Sequence, residues 1–207
     1  MPTTYQLLAL ACVIALLGCG PTASTNPENN NTNSFDVQDS SQYDPAFLKA
    51  LGDLPDSVQL QGDYLVFAGD TSFFPTELPQ NQALTFAGEQ DGNTFRLSLT
   101  RTNLTTLNYT FLLTDTKQQT IDQRSGKALL NPSFFLAAEI DEDPQSGESY
   151  GSTEYLDENE KSGCTMAIRL GVNTDAGGKS RARVSYYCAD PNAFSLGLED
   201  CPVLRTE

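Results

Sequence analysis

The side chains with the most chemistry to offer are five cysteines, Cys12, Cys19, Cys164, Cys188 and Cys201, in a chain that has neither histidine nor tryptophan. Without histidine, Ser-His-Asp and Cys-His nucleophiles and every His-ligated zinc or iron site are excluded. The cysteines show no CxxC spacing, so the expectation is no metal and no cofactor. The second candidate is the stretch from Glu139 to Glu160, with nine acidic residues (Glu139, Asp141, Glu142, Asp143, Glu148, Glu154, Asp157, Glu158, Glu160) and no Lys or Arg. A Ca²⁺ ion takes about six to eight oxygens, which two acidic turns could supply. Asp141-Glu142-Asp143-Pro144 lacks the ligand spacing and the glycine of an EF-hand, however, so solvated charge-rich loops are expected instead. Paired carboxylates could also act as glycosidase acid and nucleophile, but that requires a fixed separation across a sugar cleft. The expectation is a protein that is not an enzyme. Lys179, Arg181 and Arg183 form a small basic stripe, expected to pair with the acidic loops. With 12 basic against 27 acidic residues and a net charge of −15, nucleic acid is excluded as a partner.

The elements that place these residues begin with an address. Leu7 to Leu17 is an unbroken apolar run ending in Gly18, Cys19 and Gly20. A bilayer-spanning helix needs about 20 residues and an export-signal core about 7 to 15, so the run reads as a signal peptide over 1–18. Leu16-Leu17-Gly18-Cys19 resembles the lipobox of bacterial lipoprotein precursors. The resemblance implies cleavage before Cys19, diacylglycerol on its sulfur and a further acyl chain on the new amino group. Two or more chains give a stable anchor where one binds only marginally. Gly20 in place of an aspartate after the cysteine favours the outer membrane. The partner so implied is membrane lipid, held through acylated Cys19, in the bacterial cell envelope.

Residues 19–43 read as a tether. From Gly20 the composition turns to Asn, Ser, Thr, Pro and Gln, with Phe35, Val37 and Tyr43 as the sizeable apolar groups. Such a stretch cannot bury enough surface to offset its conformational entropy. As coil it would span roughly 25 to 30 Å. Residues 44–207 read as a single β-rich domain, all-β, an antiparallel sandwich or barrel of about eight strands preceded by a short helix. Asp44 as N-cap, Pro45 in the first turn and Gly52 past the end punctuate that helix. Phe47, Leu48 and Leu51 share one face, suited to lidding one end of the domain. Strands are expected at 58–68, 83–88, 94–100, 105–114, 133–140, 151–156, 164–171 and 180–188, with a further one at 118–124.

The last hairpin carries a testable register. A turn centred on Ala176 sets Cys164 opposite Cys188, Met166 opposite Tyr186, Ile168 opposite Val184 and Leu170 opposite Ala182, an apolar face with Thr165, Arg169, Arg183 and Ser185 behind it. Arg169 then opposes Arg183, which calls for an acidic neighbour. An exported domain favours one disulfide and one spare thiol. The register favours Cys164 with Cys188, with Cys188–Cys201 as the alternative and Cys164–Cys201 open.

Gln61-Gly62-Asp63-Tyr64, following the helix and opening the first expected strand, looks like the first-strand region of lipocalins. Phe67, Phe73, Phe74, Phe86, Phe95, Phe111, Phe134 and Phe135 would line either a closed core or such a family's ligand cavity. Two readings of function follow: an envelope lipoprotein with a non-catalytic β domain in a binding, scaffolding or surface role, toward an envelope protein; or a lipocalin-like barrel carrying a small apolar ligand.

Overall fold

Asp44 starts a helix because its carboxylate accepts the Ala46 N–H at 2.9 Å and Pro45 has no N–H to leave unpaired. That helix, α1 (Pro45–Gly52), takes in Gly52 as its last residue, with Asp53 as C-cap. It belongs to a computed structural model that describes residues 40–207, apart from 55–56, 63, 68–69, 74–77, 134–139, 145, 160–162 and 172–179. The signal peptide, Cys19 and nearly all of the expected tether lie outside the described residues. The fold begins slightly before Asp44. Ser40–Gln42 form a 3₁₀ turn, the Leu104 N–H donates to the Gln42 carbonyl, and Tyr43 is buried with its hydroxyl on the Gly62 carbonyl.

The run expected as one strand from Val58 is two, β1 (Gln59–Gln61) and β2 (Tyr64–Phe67), because Gly62 turns the chain with φ of 60°. With β3 (Asp70–Phe73) they form a separate three-stranded antiparallel sheet. The Gln61 to Tyr64 segment is therefore a hairpin connection outside the main sheet, not the opening strand of a barrel.

The main sheet is a closed, antiparallel eight-stranded barrel: β4 (Ala83–Gln90), β5 (Asn93–Asn103), β6 (Thr106–Thr114), β7 (Thr120–Leu130), β9 (Glu148–Asn159), β10 (Cys164–Gly171), β11 (Arg181–Cys188) and β12 (Leu204–Thr206). Each strand pairs with its neighbour in sequence, and the last closes on the first. The four-residue β8 (Ile140–Asp143) stands aside from this order, paired with the start of β9. The 118–124 strand is present and longer than expected, running to Leu130. The expected 133–140 strand falls mostly on residues outside the described set, and β8 begins at its end. No apolar run announces β12, yet it seals the barrel: Arg205 and Leu204 pair with Arg181 and Ala182 on one side, and Arg205 and Thr206 with Ala87 and Phe86 on the other.

Period-two alternation puts the core inside the barrel. On β6, Leu107, Tyr109, Phe111 and Leu113 are buried while Asn108 and Thr110 are exposed. Tyr109, Phe111 and Leu113 stand opposite Leu99, Leu97 and Phe95 of β5, and Phe86, Tyr155, Ile168, Val184, Tyr186 and Leu204 join the same buried cluster. Eight strands enclose an interior that side chains can just fill. The cluster continues into Phe47 and Leu51, so α1 plugs one end of the barrel. It is fastened there by the Asp44 N–H to Thr105 Oγ1 at 2.8 Å and by Lys127 Nζ to Asp44 at 2.6 Å.

Candidate ligand site at the barrel mouth

Opposite α1, the inward face changes from apolar to polar. On β7 the residues that share a face with Ala128 and Leu130 are Gly126, Arg124 and Asp122, and these pair with Tyr109, Phe111 and Leu113, all inward. On β9, Asp157 stands opposite the buried Met166, so it too lies on the inner face. Strand alternation leaves these charges no other direction.

They form two linked sets. Asp122 accepts from Arg124 Nε at 2.8 Å and from the Tyr186 hydroxyl at 2.6 Å, and the Arg124 guanidinium lies 4.0 Å from the centroid of the Tyr186 ring. Asp157 accepts the Tyr109 hydroxyl at 2.8 Å and, among the described residues, has no ion pair. Burial, then the bond to a carboxylate, pushes both tyrosine hydroxyls well above their ordinary value. Burial pulls Arg124 down, but Asp122 and Tyr186 outweigh it and the guanidinium is held charged more firmly. A side chain at Gly126 would place its Cβ 2.2 Å from Asp157 Oδ2 and 3.0 Å from the Tyr109 oxygen. Glycine is what lets this carboxylate lie against β7. Phe194, about half exposed, stacks obliquely on Tyr186 at 5.7 Å, and the backbone of Leu196 bonds that of Tyr186 in both directions, so the 189–200 segment forms part of the rim.

The chain matches no protein-family model, no curated protein and no solved structure.

At the same end lies the disulfide Cys164–Cys188, with the two Cα atoms 4.0 Å apart. The hairpin pairs as its sequence reads, including Met166 with Tyr186 and Ile168 with Val184. Cys201, the alternative partner, is a buried free thiol that burial pushes up to about 11.

Apart from Asp157, the acidic residues of the stretch that take part in ion pairs lie elsewhere. Arg169 and Arg183 are directly opposed on the outer wall, and Arg169 bonds Asp141 and Glu154, each at 3.2 Å. Asp143 is fully buried between Arg205 at 2.6 Å and Arg181 at 3.5 Å, and Arg181 also pairs with Glu148. Thus β8 straps the outer face of β10, β11 and β12. Beneath it Tyr150 is buried, and burial with the Asp141 charge raises its hydroxyl to about 12. Arg181 and Arg183 of the basic stripe sit in this wall, while Lys179 lies outside the described residues, as do Glu139 and Glu160. Among the described residues no group of three or more Cys, Asp or Glu side chains is arranged to hold a metal ion.

Sequence reading missed Asp122, Arg124 and Asp157 as a group. The available signal was the period of β7, where Asp122, Arg124 and Gly126 continue the face of Ala128 and Leu130. The residues that contact them are 48 and 64 positions away.

Proposed function

We propose that this chain is an envelope lipoprotein whose acylated Cys19 holds a non-catalytic barrel near a membrane, and that the barrel binds a partner through the mouth opposite α1. The observation that carries the binding role is the placement of Asp122, Arg124 and Asp157 on the inner face of the barrel, where fold stability alone would favour apolar side chains. Chain direction supports the arrangement. The described chain enters at Ser40, beside the α1-plugged end. Replacing Cys19 with Ser is expected to abolish fatty-acid labelling and leave an unprocessed precursor. Unchanged labelling would remove the anchor from this reading.

A second reading, a lipocalin-like carrier of a small apolar ligand, draws on the eight-stranded meander that closes first strand to last, the order of up-and-down ligand barrels. A carrier needs an enclosed apolar cavity of several hundred Å³. Here Phe86, Leu97, Phe111, Tyr155, Ile168 and Tyr186 are essentially without exposure in the interior. A groove of about 510 Å³ near α1 is lined by polar groups, among them Gln42, Gln80, Arg101 and Asn103. The packed interior favours the binding module. Saturable uptake of a fluorescent fatty acid that protects Phe111 and Ile168 signals in NMR would instead favour the carrier.

A further inference from the structure

We infer that the seat of β8 on the outer wall is a binding site for water, held by Asp141, Tyr150, Arg181 and Arg183. The inference is independent of the mouth and of the anchor.

The first argument is a set of polar atoms that the fold buries without finishing. Asp141 Oδ2, the Tyr150 hydroxyl, Ser152 Oγ, Arg181 Nη1 and Arg183 Nε are closed to solvent and have no hydrogen-bond partner among the described residues. The charged members are already fixed through their other atoms: Asp141 Oδ1 accepts from Arg169, Arg181 bonds Asp143 and Glu148, and Arg183 donates to the Leu198 carbonyl. Asp141 and Tyr150 each keep only 6% of their surface exposed. Buried polar groups left bare cost free energy, and native proteins finish them with a protein partner or an ordered water.

Convergence is the second argument. Tyr150 stands directly opposite Asp141 in the pairing of β8 with β9. Its ring lies over Gly171, where a Cβ would come within 2.3 Å of it. Gly171 in turn pairs with Ser152 of β9 on one side and Arg181 of β11 on the other, and the Arg181 guanidinium carbon is 5.1 Å from the centroid of the Tyr150 ring. Arg183 is the next residue of β11 on that face. The five atoms therefore belong to side chains gathered about one ring.

The third argument is chemical and selects the ligand. A guanidinium only donates and an ionised carboxylate only accepts. Burial and the Asp141 charge keep the Tyr150 hydroxyl protonated, so it serves in either sense. A metal cation would satisfy Asp141 and meet the arginines, and a halide would satisfy the arginines and meet Asp141. Water donates and accepts at once, fits a site closed to solvent, and makes about three bonds in such places.

Solvent ¹⁷O relaxation dispersion counts long-lived waters, and water NOESY and ROESY peaks at the Arg183 Nε–H locate them; both are measured on the full ¹⁵N-labelled chain in detergent micelles. NOE and ROE peaks of opposite sign are expected there, the signature of a bound water. Tyr150→Phe, which keeps the ring on Gly171, should lower the ¹⁷O amplitude by about one water and the Arg183 peak by about twofold or more. Tyr187→Phe removes an exposed hydroxyl and should change neither. The spread of backbone amide shifts checks that each variant is folded. Absence of the Arg183 peaks in wild type overturns the site, and so does a loss in Tyr187→Phe as large as in Tyr150→Phe. Equal ¹⁷O amplitude in wild type and Tyr150→Phe overturns it too, since the peaks then come from exchange of the Tyr150 hydroxyl proton. A saturable shift of the Arg183 Nε–H on titrating bromide, without water peaks, would assign the site to a halide and refute the inference.

Discussion

On the outer wall of the barrel, the fully buried Asp143 lies between two arginines, Arg181 and Arg205. Inside the mouth two carboxylates, Asp122 and Asp157, share a face with one arginine, which bonds only the first. Both sites take charge out of water, and both are built from the same residue types on neighbouring strands. The difference is compensation. The wall brings Asp141, Asp143, Glu148 and Glu154 against Arg169, Arg181 and Arg205, so each carboxylate has a cation and β8 is locked down. Among the described residues, the mouth gives Asp157 a hydroxyl. A compensated buried network fixes a structure, whereas Asp157, among the described residues, is held by a neutral hydroxyl alone.

The comparison breaks most visibly at Asp143. Asp143→Ala removes the fully buried carboxylate between Arg205 and Arg181, of which Arg181 keeps Glu148, and should cost about 3–5 kcal/mol in urea unfolding. Asp157→Asn, which removes a charge with no ion pair among the described residues, should leave stability within about 1 kcal/mol of wild type. Similar losses at the two positions would mean that Asp157 is compensated after all.

Reducing the disulfide comes next in size. Cys164 and Cys188 are 24 residues apart, and closing a loop of that length is worth about 3 kcal/mol in the chain-entropy account. The melting temperature should fall on adding reductant, and a Cys201→Ala variant should fall by the same amount. A smaller fall in that variant would point to exchange with the buried thiol.

Asp44→Ala removes the cap of α1 and the bond to Lys127, and should cost about 1 kcal/mol at neutral pH. Lys127 chiefly, with the Ala46 N–H, holds the Asp44 carboxyl below its ordinary value of 3.8. The contribution is therefore present above about pH 4 and lost as pH falls through the lower folded value. Stability profiles of the two proteins should converge in acid and part at neutral pH.

The smallest effect is spectroscopic. Tyr109, Tyr150 and Tyr186 are held protonated by burial and by nearby carboxylates. The fold gains from their neutral form below about pH 10 and loses that gain as pH rises above it. Absorbance at alkaline pH should show delayed ionisation. Asp157→Asn should bring Tyr109 downward while leaving Tyr150 where it was, since Tyr150 answers to Asp141 on the wall.

The class of fold was legible wherever one local rule operated. The Asp44-Pro45 punctuation specifies a helix start, and alternation along 105–114 specifies a half-buried strand, because cap chemistry and the strand period involve only residues close in sequence. The register of the last hairpin was legible for the same reason, since a single short connection relates Cys164 to Cys188, and the acid that Arg169 and Arg183 call for stands beside Arg169 as Glu154 and Asp141. β7 runs on past Arg124 without a local signal, because Ser125, Gly126 and Lys127 carry little β propensity of their own. The Gly62 turn is hard to see in the Val58 run because it sits between residues that otherwise favour strand.

The sequence alone therefore decided the strand-rich character, the helix start, one disulfide register and the absence of histidine chemistry. Tertiary structure decided that the sheet closes as a barrel, since closure rests on Leu204–Thr206 pairing with strands far away in the chain. It also decided which carboxylates meet arginines, Asp141, Asp143 and Asp122 among them, and which meets a hydroxyl, Asp157. A side chain's charge is written in the sequence, but its compensation is a distance, and distances between residues 48 or 64 positions apart exist only after the chain has folded.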